Sequence, residues 1–161
     1  MYSEQKQKSF DVALKKGEIG ENIIINLLEK KGWIVYTPFT KGKAHYFDIL
    51  ATYKKEKAIA IDVKTKARLN KWSAQGIDLR HYNQYKKFIE NHKVPFYLVF
   101  IDDKLGDVHL ADIENLSNPI YPNEKIIAWR LSDMKYIMNI GKDAIKELSK
   151  YDQRNYKFNP Q

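Results

Sequence analysis

The chain has no cysteine, which excludes a disulfide scaffold, a cysteine-ligated zinc site, an iron–sulfur cluster and a catalytic thiol. Glycine (7) and proline (5) are sparse, and no repeat, low-complexity tract or Pro/Gly/Ser-rich linker divides the 161 residues. No apolar run approaches the length of about 20 residues that spans a bilayer. The opening stretch, Met1 to Ser9, is polar and lacks the apolar segment of a secretory signal. The four histidines (His45, His81, His92, His109) show no metal-ligand spacing. There is no Gly-rich phosphate loop, so ATP is not implied, and no Gly-x-Ser-x-Gly elbow. No helix-turn-helix, RNA-recognition or zinc-finger signature is present. These absences describe a soluble, cytoplasmic protein with no membrane partner.

What remains is basic and globular. With 28 Lys+Arg against 20 Asp+Glu the formal charge is +8, which favours a polyanionic partner, most often nucleic acid. With 43% apolar and 13% aromatic residues the chain can bury a core, and its length suits a single domain over residues 1–161. Residues 1–8 and the tail from about 151 to 161 are polar and read as frayed ends.

The pattern between them is mixed α/β. Ser9 to Lys31 reads as a long helix, with Ser9 as N-cap and Gly32 as its stop. Phe10, Leu14, Gly17, Glu21, Ile24, Ile25 and Leu28 define one face at helical spacing. Strands are expected over Trp33 to Phe39, Tyr46 to Tyr53 and Lys57 to Lys66. A loop from about Ala67 to Asp78 follows, then a helix over Arg80 to His92 and a buried strand over Pro95 to Asp102. Further strands are expected over Asp107 to Ile113 and Lys125 to Leu131, and a closing helix over Lys142 to Lys150. That order predicts a central mixed β-sheet flanked by helices.

Acidic residues interrupt these apolar patterns at Glu21, Asp48 and Asp62. Glu21 lies on the apolar helix stripe, where a carboxylate is costly without a cation or donors. Gly17 and Gly20 beside it, each about 1 kcal/mol worse than Ala in a helix interior, suggest that something approaches the helix backbone closely. Strand side chains alternate, so Ile59, Ile61 and Val63 share one face while Ala58, Ala60, Asp62 and Lys64 share the other. If the glycine-bearing helix packs over the two alanines, Glu21 comes near Asp62 and Lys64. Asp48 lies on the strand just before. Carboxylates around an open position suit a hard divalent cation such as Mg²⁺, and a nearby lysine can orient a water and meet developing charge.

Asp48, thirteen residues and then Asp62-Val63-Lys64, preceded by the helical Glu21, resembles the PD-(D/E)XK nuclease superfamily. The likeness is to Holliday-junction-resolvase-like and phage-type endonucleases, and covers roughly residues 10–102. It implies a restriction-endonuclease-like αβββαβ core. It also implies a metal-dependent endonuclease that hydrolyses DNA, with branched or junction DNA as a candidate substrate, leaving a 5′-phosphate and a 3′-hydroxyl. By this resemblance Asp48, Asp62, the Val63 carbonyl and Glu21 would hold Mg²⁺ or Mn²⁺, and Lys64 would be the catalytic lysine. Gln84 and Tyr85 would form an auxiliary polar pair, and two copies would pair as a homodimer. Phe47 replaces the motif's proline, and Asp62 stands where Glu is commoner; neither change removes a catalytic group.

Lys41 and Lys43 precede the Asp48 strand, and Lys66, Arg68 and Lys71 follow the Asp62 strand. All five are expected to contact DNA phosphates. Two rival readings use the same residues: a non-catalytic nucleic-acid-binding or assembly subunit, and an RNA nuclease.

Overall fold

A computed structural model describes residues 2–38 and 45–152. The chain order is α1 (Tyr2–Lys30), β1 (Ile34–Tyr36), β2 (Ile49–Thr52), β3 (Ile59–Thr65), a short 3-10 turn (Asn70–Trp72) and β4 (Ala74–Asp78). It continues with α2 (Leu79–His92), β5 (Phe96–Ile101), β6 (Asp107–Asp112), β7 (Ile120–Asn123) and β8 (Ile126–Arg130). A second 3-10 turn (Leu131–Asp133), β9 (Lys135–Asn139) and α3 (Gly141–Ser149) end the described chain. Six strands form one mixed sheet in the order β1-β2-β3-β5-β6-β9, and three form a second in the order β4-β8-β7. In the large sheet β3 and β5 are parallel, while the other neighbours are antiparallel. The expected helix, three strands, helix and strand are all present, with β4 added between β3 and α2.

α1 stops where the sequence predicts. Gly32 adopts φ +83°, the left-handed region that glycine favours, and the Gly32 and Trp33 amides donate back to Glu29 and Leu28. Its start is different: the helix already runs from Tyr2, because Glu4, Gln5, Lys6, Gln7 and Lys8 are helix formers with no breaker among them. Ser9 is therefore interior to the helix. Phe10 and Leu14 on the expected apolar face are 58% and 51% exposed. Only from Ile19 onward does the stripe meet the sheet, through Ile23, Ile24, Ile25 and Leu28.

The two faces of the large sheet are covered differently. Ile61 and Val63 of β3 pack with Ile24 of α1, Leu148 of α3, Val99 and Ile101. Ala60, on the other face, packs with Phe96, Leu98 and Phe100 beneath Tyr85 of α2 and Ile77, Ile127 and Trp129 of the small sheet. This corrects the sequence expectation, because the glycine-bearing helix lies over the isoleucine face and the alanine face receives α2. The glycines also differ from each other. A methyl group on Gly20 would lie 1.9 Å from Thr65 Oγ1, so glycine is what lets α1 approach the end of β3. One on Gly17 would meet only the Glu21 carboxylate, at 3.8 Å.

Three strands were not expected. β4, which reads as a loop, is a strand because every one of its residues pairs with β8, fifty or so positions on. Pairing there overrides weak local preference. β7 and β9 likewise owe their form to partners, β8 and β6.

Candidate active site

Asp62 sits at the centre of β3, 5% exposed, with Lys64 two residues on and on the same face. The Lys64 ammonium is 2.6 Å from Asp62 Oδ2. That oxygen is fully buried and, apart from this ion pair, receives no hydrogen bond of regular geometry. Tyr85, 4% exposed on α2, acts on the same carboxylate through its hydroxyl. Burial pushes the Asp62 carboxyl above its usual range, against the pull of Lys64 and Tyr85. The Tyr85 hydroxyl is pushed up in turn by burial and by the Asp62 charge.

Asp48 reaches the same place from the neighbouring strand. β2 begins at Ile49, one residue later than Asp48, and pairs Ile49 with Ile61. Continuing that register sets Asp48 opposite Asp62 and on its face. The backbone ladder ends there: the Asp48 amide still donates to Ile61 O (3.0 Å), and the Val63 amide donates to Asp48 Oδ2 at 2.7 Å. The side chain thus takes the rung that the strand gives up. Burial and the Asp62 charge raise Asp48 to about 6, against the Val63 amide, Lys64 and His45.

Glu21 follows Gly20 on α1 and is half-buried. Burial raises it to about 6, with the Asp48 and Glu18 charges adding and Lys64 opposing. Of the two expected neighbours, Lys64 acts on Glu21 and Glu21 in turn raises Asp62, although α1 approaches from the opposite face.

Among the described residues, no three His, Asp or Glu side chains converge as a metal cluster. The donor set is two facing carboxylates, Asp48 and Asp62, both held above their usual range, with Glu21 further out. All are hard oxygen donors, and the buried Asp62 Oδ2 lacks a regular hydrogen bond. That set fits a hard divalent cation.

The other predicted residues separate. Gln84 is exposed on α2, apart from Tyr85 in burial. Lys41 and Lys43 lie outside the described residues. Arg68 is committed inside the chain, donating to Asp102 at 2.5 Å and Asp107 at 2.6 Å across the β5–β6 turn. Lys71 is exposed with its ammonium 4.8 Å over the Trp72 ring. Lys66 turns inward: it hydrogen-bonds Gly76 O, and burial with the nearby Lys64 charge lowers it to about 8.

Two neighbours of the site escape sequence reasoning. Gln75 of β4 is 1% exposed and donates from Nε2 to Lys66 O at 3.3 Å. His81, in the first turn of α2, is shifted down by burial and by the Lys64 charge. A lone glutamine between Ala74 and Gly76 was the available signal for the first; its weight depends on a strand the local sequence does not announce.

No family model and no curated protein matches the sequence. Among solved structures the fold is similar to Hjc, a Holliday junction resolvase from the archaeal hyperthermophile Archaeoglobus fulgidus. The two share 18% identity at a TM-score of 0.55, over 73% of this chain and 90% of that one. A bacterial homing endonuclease (16% identity, TM-score 0.46, 71% of this chain and 72% of that one) and a nuclease from a fusselovirus (11%, 0.44, 81% and 88%) are more distant. The chain therefore shares the fold of that resolvase.

Proposed function

We propose that this chain is a metal-dependent endonuclease that hydrolyses DNA phosphodiester bonds. The observation that carries the reading is the facing pair Asp48 and Asp62, with the Lys64 ammonium 2.6 Å from Asp62 Oδ2. A Mg²⁺ or Mn²⁺ ion held by Asp48, Asp62 and the Val63 carbonyl would supply a water of lowered pKa and neutralise charge on the phosphodiester. Asp62 sets the Lys64 ammonium beside the carboxylates, where it can orient the attacking water and meet charge that develops on phosphorus-bound oxygens. Asp48, tied by one oxygen to the Val63 amide, is fixed in place by the sheet itself. Glu21 would support the ion or the water from the α1 side. In-line attack breaks the bond from phosphorus to the 3′-oxygen, leaving a 5′-phosphate and a 3′-hydroxyl.

The +8 charge suits a nucleic acid, and the similarity to a junction resolvase makes four-way DNA the first substrate to try. Two copies acting on opposite strands would suit such a substrate. The test incubates the protein and its Asp62→Ala and Lys64→Ala variants with plasmid, flapped and four-way-junction DNA, each with Mg²⁺ or Mn²⁺. Wild-type cleavage is expected, with a loss of 10³-fold or so in both variants. Equal cleavage by all three proteins, or none on any substrate, rejects the reading. Binding that weakens steeply with salt but never leads to cutting would favour a non-catalytic subunit instead.

A further inference from the structure

Among the described residues, the inward-turned cations differ in what they meet. Lys16 pairs with Asp103, Lys64 with Asp62, Lys104 with Asp152, and Arg68 with Asp102 and Asp107. Each of these buried or half-buried charges meets a carboxylate. Lys66 does not. It follows the last residue of β3, and its amide still donates to Ile101 O at 3.0 Å, which continues the alternation that puts Asp62 and Lys64 on one face. Its ammonium hydrogen-bonds the neutral Gly76 carbonyl. A half-buried ammonium whose hydrogen bond goes to a neutral acceptor leaves most of its charge uncompensated, an arrangement that favours an incoming anion.

β4 holds Lys66 at both ends. Gly76 receives the ammonium, and Gln75 donates from Nε2 to the Lys66 backbone carbonyl at 3.3 Å. Gln75 is 1% exposed, and its Oε1 is buried without a hydrogen-bond partner. A buried polar side chain left half-satisfied on an apolar strand face is costly, so a specific role is the economical account of it. Glycine is needed at 76 for the same strand to approach, since a methyl group there would lie 2.9 Å from Ala128 Cβ and Ile127 O.

We propose that Lys66 is a second cation of the active site, positioned by Gln75 and Gly76 of β4 to meet the negative charge of the scissile phosphate. This rests on the nuclease reading above and replaces the sequence expectation that Lys66 grips the DNA backbone from the surface. The ligand it fits is a non-bridging phosphodiester oxygen. Its fall to about 8, from burial and the Lys64 charge against the weaker pull of Asp62, agrees with a cation that forms no ion pair of its own. Gln75 is a positioning residue, acting through Lys66.

The experiment compares single-turnover cleavage of four-way-junction DNA with equilibrium binding of the same DNA in Ca²⁺ across a salt series. Wild type, Lys66→Met, Lys66→Arg, Gln75→Glu and Lys71→Met are measured. Lys66→Met is expected to cut about 100-fold more slowly, as for loss of one preorganised donor, while its affinity changes less than about threefold. Lys66→Arg restores most of the rate, and Gln75→Glu cuts more slowly with unchanged affinity. Lys71→Met, at the surface beside Trp72, is expected to weaken binding and flatten its salt dependence. Sulfur in place of one non-bridging oxygen of the scissile phosphate shrinks the Lys66→Met defect, which a merely structural role would not do. If Lys66→Met loses its fold, Lys66→Gln, which keeps a donor but no charge, answers the same question. Wild-type cutting with a Lys66 variant that cuts normally but binds weakly overturns this inference alone. Absence of cutting by the wild type overturns both it and the nuclease reading.

Discussion

On one face of β3, Ile61 and Val63 pack with apolar side chains from α1, α3 and β5; on the other, Ala60 is equally buried, yet two and four residues later the same face carries Asp62 and Lys64. A strand buried on both faces should read as apolar throughout. β3 obeys that rule on the α1 side and abandons it halfway along the α2 side. The break falls towards the carboxyl end of a strand that runs parallel to β5, which is where ligands enter open α/β sheets. There β2 stops at Ile49, the Asp48 side chain takes its place, and Tyr85 supplies a hydroxyl where the residues nearer Phe96 supply only carbon. One face specifies the fold, and the other is partly released from that duty.

The largest effect that would sharpen this division comes from Ile61→Ala. Ile61 is 3% exposed in the α1-side core, and its truncation should cost about 3 kcal/mol through lost burial and the cavity left behind. Urea unfolding should show that loss. Cleavage by the protein that remains folded should stay within a few-fold of wild type, although Ile61 adjoins Asp62. A loss of cutting as deep as in Lys64→Ala would mean that the two faces are not separable.

Asp48→Asn should have a smaller effect of opposite sign. Asp48 titrates at about 6 instead of near 3.8, because burial and the Asp62 charge disfavour its ionised form. A carboxyl raised in the folded state contributes stability below pH 4 that is lost as the pH rises through 6. The asparagine keeps an oxygen for the Val63 amide and never ionises. At pH 4 the two proteins should be equally stable; at pH 7.5 the variant should be more stable by about 2 kcal/mol, and inactive. Millimolar Mg²⁺ should narrow the gap by raising the wild-type melting temperature. A variant less stable than wild type at pH 7.5 would make Asp48 a structural rung and nothing more.

How far the sequence discloses this arrangement depends on the range of the interactions. Asp48, Asp62 and Lys64 were legible because each breaks an apolar alternation that is local to its strand. The stop of α1 was legible from Gly32. The face that α1 covers was not, since both faces of β3 offer apolar surface and only the Gly20–Thr65 contact selects one. Arg68 reads as a surface base, yet its partners Asp102 and Asp107 lie 34 and 39 positions away. Gln75 is hidden for the same reason, its strand existing only through β8. Phe10 and Leu14 mislead in the opposite sense: their spacing is right for a core stripe, but the sheet does not extend beneath them.

The smallest expected effect tests where the boundary between the faces lies. Tyr85 belongs to both regions: its ring stacks on Phe96 with centroids 4.7 Å apart, and its hydroxyl acts on the Asp62 carboxylate. Tyr85→Phe keeps the ring and removes only the hydroxyl. Because that hydroxyl pulls the Asp62 carboxyl down against burial, it favours the ionised form and matters most when Asp62 is charged. The variant should therefore lose about 1 kcal/mol at pH 8 and less at pH 5, read by urea unfolding at both values. Cleavage should fall by less than tenfold, since the carboxylates and Lys64 remain. A loss independent of pH would assign Tyr85 wholly to packing, and would move the start of the chemical region along β3 from Asp62 to Lys64.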